Sequence, residues 1–146
     1  MKNSFTLLAT FSMLFLIGFT SCAQDKIIPS NKLPKQIITF VETHFPDNSI
    51  IQASFDRELF SKSYEVILKD NIKLDFNSKN KATSIEGNSK LPDKVIPTQI
   101  LEYVKMNYNN NVIIEWEIDD KKQQVKLDNG LELEFTIKGD FLRIDG

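Results

Sequence analysis

Few side chains in this sequence are of a type and spacing that could do chemistry. His44 is the single histidine. With no second imidazole at ligand spacing, neither a zinc site nor histidine-based acid–base catalysis has the groups it needs. It stands at a predicted helix end beside Phe45 and Pro46, where the negative end of the helix favours a partly cationic imidazole and a structural role. Two carboxylate pairs, Asp56-x-Glu58 and Asp119-Asp120, are the kind of group that cleaves glycosides or binds calcium. Both are expected at hairpin tips next to Lys or Arg, where water solvates them, and the spaced carboxylates plus Gly of a calcium loop are absent. The one cysteine, Cys22, lies in the N-terminal apolar region, which leaves the folded part with no disulfide framework and no thiol nucleophile. These residue types imply a protein that is not an enzyme and carries no cofactor and no metal.

The elements that position the remaining candidates follow from hydrophobic period. Leu33-Pro34 opens a helix on which Ile37, Ile38, Val41 and Phe45 form one apolar stripe, and Pro46-Asp47-Asn48 ends it. Alternating segments follow, Ile50 to Phe55, Tyr64 to Leu68, Ile72 to Phe76 and a last one through Ile85. The pattern then recurs. Ile96-Pro97 repeats the helix opening, and Ile100, Leu101, Val104 and Tyr108 match the first stripe residue for residue. Val66, Leu68, Leu74, Phe76, Lys79, Ile85 and Gly87 correspond to Val125, Leu127, Leu133, Phe135, Lys138, Ile144 and Gly146. The Asn129-Gly130 pair between alternating runs predicts a type I′ hairpin, with Asp70-Asn71 in the same slot of the first copy.

The sequence therefore predicts an α+β fold made of two tandem repeats, each one helix followed by a four-stranded antiparallel meander. Both helices are expected on one face of the sheet, with the other face open to solvent. A lobe of about 55 residues is marginal alone, so two are expected to share a core. Residues 1–22 read as a signal peptide, 23–32 as a tether, 33–87 as the first repeat and 88–146 as the second. In IIEWEI, Ile114, Trp116 and Ile118 are expected to face the core, while Ile113, Glu115 and Glu117 face outward.

Composition narrows the partners. A hydrophobic share of 41% and a charged share of 26% suit a globular domain, and a net charge of −2 with 18 basic against 20 acidic side chains leaves no basic stripe for nucleic acid. At the N-terminus, Lys2 followed by an apolar run from Phe5 to Phe19 reads as an export signal, too short for a confident membrane span of roughly 20 residues. Thr20-Ser21-Cys22 resembles a bacterial lipoprotein signal, in which Cys22 is lipidated and becomes the mature N-terminus; ordinary cleavage after Ala23 is the alternative. The protein is expected in the periplasm or at the cell surface, held to a membrane by its lipid.

Taken in order, Leu33-Pro34, the helix closing on His44-Phe45-Pro46, Tyr64-Glu65-Val66, the run Leu127-Asp128-Asn129-Gly130-Leu131-Glu132-Leu133-Glu134-Phe135 and the closing Lys138-Gly139-Asp140-Phe141 resemble the PepSY-like proteins. These are also described as β-lactamase-inhibitor-like. The resemblance spans nearly all of the chain from about Lys32 to Gly146, with Asn71 and Asn80 where the family prefers Gly. It implies tandem α-then-β repeats, an exported location and no catalysis. Relatives of the name-giving inhibitor bind an enzyme on the open sheet face, and related segments in protease precursors restrain peptidases.

On the predicted open face Glu115, Glu117, Lys126, Asp128, Glu132 and Glu134 form an acidic patch. Glu115, Glu117, Lys126, Glu132 and Glu134 are the expected contacts for a protein or peptide partner in the cell envelope. Two other readings compete with this one: a small envelope hydrolase using a carboxylate pair, and a passive structural protein of the envelope.

Overall fold

The computed structural model describes residues 26–57 and 61–145. The strands are β1 (Lys26–Ile28), β2 (Ile50–Arg57), β3 (Lys62–Leu68), β4 (Ile72–Phe76), β5 (Ala82–Glu86), β6 (Ile113–Ile118), β7 (Lys122–Leu127), β8 (Glu132–Thr136) and β9 (Phe141–Asp145). Helix α1 (Lys35–His44) lies between β1 and β2, and α2 (Thr98–Asn107) between β5 and β6.

The class is α+β, but the expectation of two four-stranded meanders is overturned. The strands form a single nine-stranded sheet, antiparallel throughout, with spatial order equal to chain order. The strand beyond the expected eight is β1, which lies inside the segment read as a tether. Lys26, Ile27 and Ile28 pair with Phe55, Ser54 and Ala53. Three residues ending at Pro29 are too short to show a period, so only the pairing reveals them as a strand. The signal segment and Cys22 lie outside the described residues.

One row of residues crosses the whole sheet: Ile28, Ala53, Val66, Leu74, Ile85, Trp116, Val125, Leu133 and Ile144. Both helices cover this face. Ile37 and Val41 of α1 and Ile100 and Val104 of α2 are buried with it in one core. The rings repeat the arrangement: Phe40 meets Phe76 edge-on at 5.5 Å, and Tyr103 meets Phe135 edge-on at 5.4 Å. Each fully buried side chain of this kind contributes at most about 1.5–3 kcal/mol.

The helices start one residue later than expected, with Pro34 and Pro97 as the residues that precede the first turn. They also end alike, Phe45 N–H donating to Val41 O and Tyr108 N–H to Val104 O, each at 2.8 Å. The sheet joins the segments read as the first and second repeats through only three residue pairs, Ser84 with Glu117, Ile85 with Trp116 and Glu86 with Glu115. Two backbone bonds reinforce this seam, Gly87 N–H to Ile114 O and Leu91 N–H to Ile113 O, both 2.9 Å.

Three sequence expectations are corrected locally. The pair of positive φ angles that a type I′ turn needs occurs at Asp70 (66°) and Asn71 (58°), whereas in the second copy only Gly130 (88°) has one. There Gly130 N–H donates to Leu127 O and Leu127 N–H to Leu131 O, a three-residue loop with glycine at the left-handed position. A bulge between Ile113 and Glu115 puts Ile113 on the core face with Trp116, not outward with Glu115 and Glu117. Asp56 belongs to β2, opposite Ser63, and is not at a hairpin tip.

Candidate functional site

The face away from the helices carries two polar rows. One runs Ser54, Glu65, Asp75, Ser84, Glu117, Gln124, Glu134 and Arg143; the other runs Gln52, Ile67, Lys73, Glu86, Glu115, Lys126, Glu132 and Asp145. Period-two alternation requires this once Val66, Leu74, Val125 and Leu133 point to the core.

Four of the five expected partner-binding residues meet on neighbouring strands in the second copy. Lys126 Nζ lies 3.5 Å from Glu115 Oε1 and 3.5 Å from Glu132 Oε1. Those two carboxylates, Glu115 first, raise the lysine's pKa. Gln124 Nε2 donates to the other oxygen of Glu132 at 2.8 Å, and Glu117 is exposed beside them. Glu134, the fifth, is placed differently: it is only 3% exposed. Arg143 Nε donates to its Oε2 at 2.7 Å, and Lys122 Nζ donates to its Oε1. Arg143 first and Lys122 second hold its pKa at about 2. The cations themselves are what cover this carboxylate, so it works as an internal tie and offers a partner little surface.

Asp128 leaves the expected patch altogether. Its carboxylate accepts from Asn111 Nδ2 at 2.9 Å and Val112 N–H at 3.2 Å, which clips the loop after α2 to the β7–β8 turn and lowers its pKa. Trp116 is core as expected, and its Nε1 donates to buried Gln123 Oε1 at 3.0 Å. Gln123 Nε2 in turn donates to Ile137 O at 3.0 Å, so this buried polar pair is satisfied. Asp119 does sit at a tip, its carboxylate accepting from Lys121 and Lys122 N–H at 2.7 and 2.8 Å.

His44 corrects an expectation about charge. Its pKa is lowered, by burial first and by Lys94 second, so the imidazole is less cationic than a helix end alone would make it. Its ring packs 4.6 Å from Phe40, and among the described residues its Nδ1 has no hydrogen-bond partner.

The first-copy half of the same face, which sequence reasoning passed over, contains a shallow cleft of about 330 Å³ bordered by Ser54, Asp56, Ser63, Glu65, Asp75 and Thr83. Burial raises the Asp75 pKa, opposed by Lys73 3.9 Å away and reinforced by Glu65, Glu86 and Glu117. Among the described residues no three His, Cys, Asp or Glu side chains are grouped closely enough to hold a metal ion. Nor is any helix among them long and apolar enough to cross a membrane. The missed residues were legible in the repeat itself, since Asp75 aligns with Glu134, and Ser63 and Ser84 align with Lys122 and Arg143.

With this geometry the chain belongs to the family described as "Putative beta-lactamase-inhibitor-like, PepSY-like", whose model matches residues 19–61 and 62–143. Three crystal structures from Bacteroides share the fold. A putative periplasmic protein of the DUF2874 family from Bacteroides vulgatus is 36% identical, with a TM-score of 0.81 over 86% of this chain and 99% of that one. A putative calcium-regulated periplasmic protein from Bacteroides thetaiotaomicron is 32% identical, with a TM-score of 0.79 over 84% and 97%. A second putative periplasmic protein from Bacteroides vulgatus, of unknown function, is 33% identical, with a TM-score of 0.79 over 84% and 100%. No curated protein matches the sequence.

Proposed function

We propose that the protein is a non-catalytic, exported binding module, tethered by a lipid on Cys22, whose open sheet face engages a protein or peptide of the cell envelope and restrains it. The observation that carries this reading is the face itself: two rows of mostly charged and polar residues crossing the sheet, with no element of the described structure laid over them. The family description and the periplasmic relatives support the compartment and the inhibitor-like role. Contact falls to Glu115, Glu117, Lys126 and Glu132, with Glu134 beneath them fixing Arg143 and Lys122.

Changing Glu115, Glu117 and Glu132 together to Ala tests it. Exposed ion pairs of this kind are worth about 0.2–1 kcal/mol each, so the melting temperature changes little. A partner cross-linked to the tagged full-length protein in envelope fractions is expected to be lost in the triple variant. Undiminished capture by that variant overturns the open-face assignment.

A further inference from the structure

The duplication shows what the outer edge of β9 is built to receive. In the first copy the corresponding edge, that of β5, is closed by β6, and Ile85 is 1% exposed because Trp116 pairs with it. In the second copy no described strand lies beyond β9, and Ile144, the counterpart of Ile85, is 50% exposed. Leu142 of the same strand is 51% exposed, and Ile137, in the turn that leads into it, 44%. The opposite edge is blunted: β1 has three residues and is followed by Pro29, which cannot donate to a ladder. β9 has five residues and no Pro, although it carries Arg143 and Asp145 and a bulge in its ladder to β8.

We propose that the outer edge of β9 pairs antiparallel with β9 of a second copy of this chain, joining two nine-stranded sheets into one across a twofold axis. The charge pattern selects both the occupant and the register. Keeping the helix-covered faces of both copies on the same side requires each residue to meet one of its own face. Centring the axis on Ile144 satisfies this and sets Arg143, already held by Glu134 and 3.7 Å from Asp145 of its own chain, opposite Asp145 of the other copy, twice over, with Ile144 against Ile144. Centring it on Arg143 would instead oppose two guanidinium groups. The apolar row that ends half-exposed at Ile144 then continues unbroken into the second molecule, as it does from Ile85 to Trp116 at the internal seam. This edge borders the open face proposed for partner binding, whose two rows end at Arg143 and Asp145.

A cysteine placed on the axis tests the pairing in the full-length protein in its own envelope. Ile144→Cys is expected to give a reducible dimer under mild oxidation, while Ile67→Cys, on the open face, and the unaltered chain with Cys22 do not. Adding Asp145→Arg to Ile144→Cys opposes like charges across the axis and is expected to cut the dimer by about tenfold or more. Protease resistance of each variant reports whether it remains folded. A folded Ile144→Cys protein that stays monomeric overturns the proposal. Cross-linking of Ile144→Cys only to Ile28→Cys on another molecule overturns it too, since that outcome means head-to-tail pairing through β1.

Discussion

Asp75 of β4 and Glu134 of β8 hold equivalent places in the two halves, each followed by a bulge, yet their carboxyls are driven in opposite directions. The difference lies in two neighbours. Where Glu134 has Lys122 and Arg143, Asp75 has Ser63 and Ser84, and burial then outweighs the cation it does have, Lys73, which lies 3.9 Å away and also pairs with Glu65. The helix-side contacts diverge in the same way. Tyr103 stacks on Phe141 at 4.6 Å, whereas the first copy has Ala82 at that position and Phe40 leans on His44 instead. One backbone plan thus supports a tied second copy and a looser first copy.

The largest test of that contrast is in the core. Phe76→Ala and Phe135→Ala should each cost about 3–5 kcal/mol, with Phe135 at the upper end because it meets both Tyr103 and Phe141 while Phe76 meets Phe40. Urea unfolding of the two variants checks the order, and equal losses would remove the claim that the second copy is better tied. Next comes the pair of hairpin turns at Asn80 and Gly139. A Cβ on Gly139 would stand 3.1 Å from Gln99 Cβ at a φ of 95°, so Gly139→Ala should cost about 1 kcal/mol. Asn80→Gly, which relieves a φ of 58° but loses the 2.7 Å bond to Gln36, should stay within about 0.5 kcal/mol.

Acid titration separates the two carboxylates by sign. Glu134 has a depressed folded pKa, so its stabilisation is present above the ordinary value of 4.5 and is lost as pH falls toward about 2. Glu134→Gln should flatten that stretch of the stability profile. Asp75 has a raised folded pKa, so protonation favours the fold and stability is gained as pH falls through it. Asp75→Asn should remove that gain. The smallest effect expected is at neutral pH, where Asp75→Asn should shift stability by less than about 0.5 kcal/mol, toward greater stability. A loss there would mean that the attraction to Lys73 outweighs burial.

The helices and the strands from β2 to β9 were legible because their apolar residues keep a period and because the apolar positions of the two halves correspond. What escaped were features that period cannot report. β1 is three residues long, and its identity depends on Ala53, Ser54 and Phe55 lying opposite it. The bulge at Ile114 shifts Ile113 to the other face without any change in composition. Glu134 reads as one more charge in an alternating run, and its burial depends on Lys122 of β7 and Arg143 of β9, on the strands either side. Asp128 looked like a face residue until Asn111 and Val112 claimed its oxygens. Of the site, Glu115, Glu117, Lys126 and Glu132 were visible as a group, while the acidic cleft around Asp75 was not.

A sheet whose spatial order is its chain order has a mechanical consequence. Its first and last strands lie at opposite rims, so tension applied to the two ends pulls across the strands. Hydrogen bonds so loaded open a few at a time instead of resisting together in shear, and the three-pair seam between β5 and β6 is as short as the ladder of β1, shorter than the other ladders of the described sheet. Such a molecule should extend in small steps at low force and close again when released, each strand finding its neighbour in sequence already alongside.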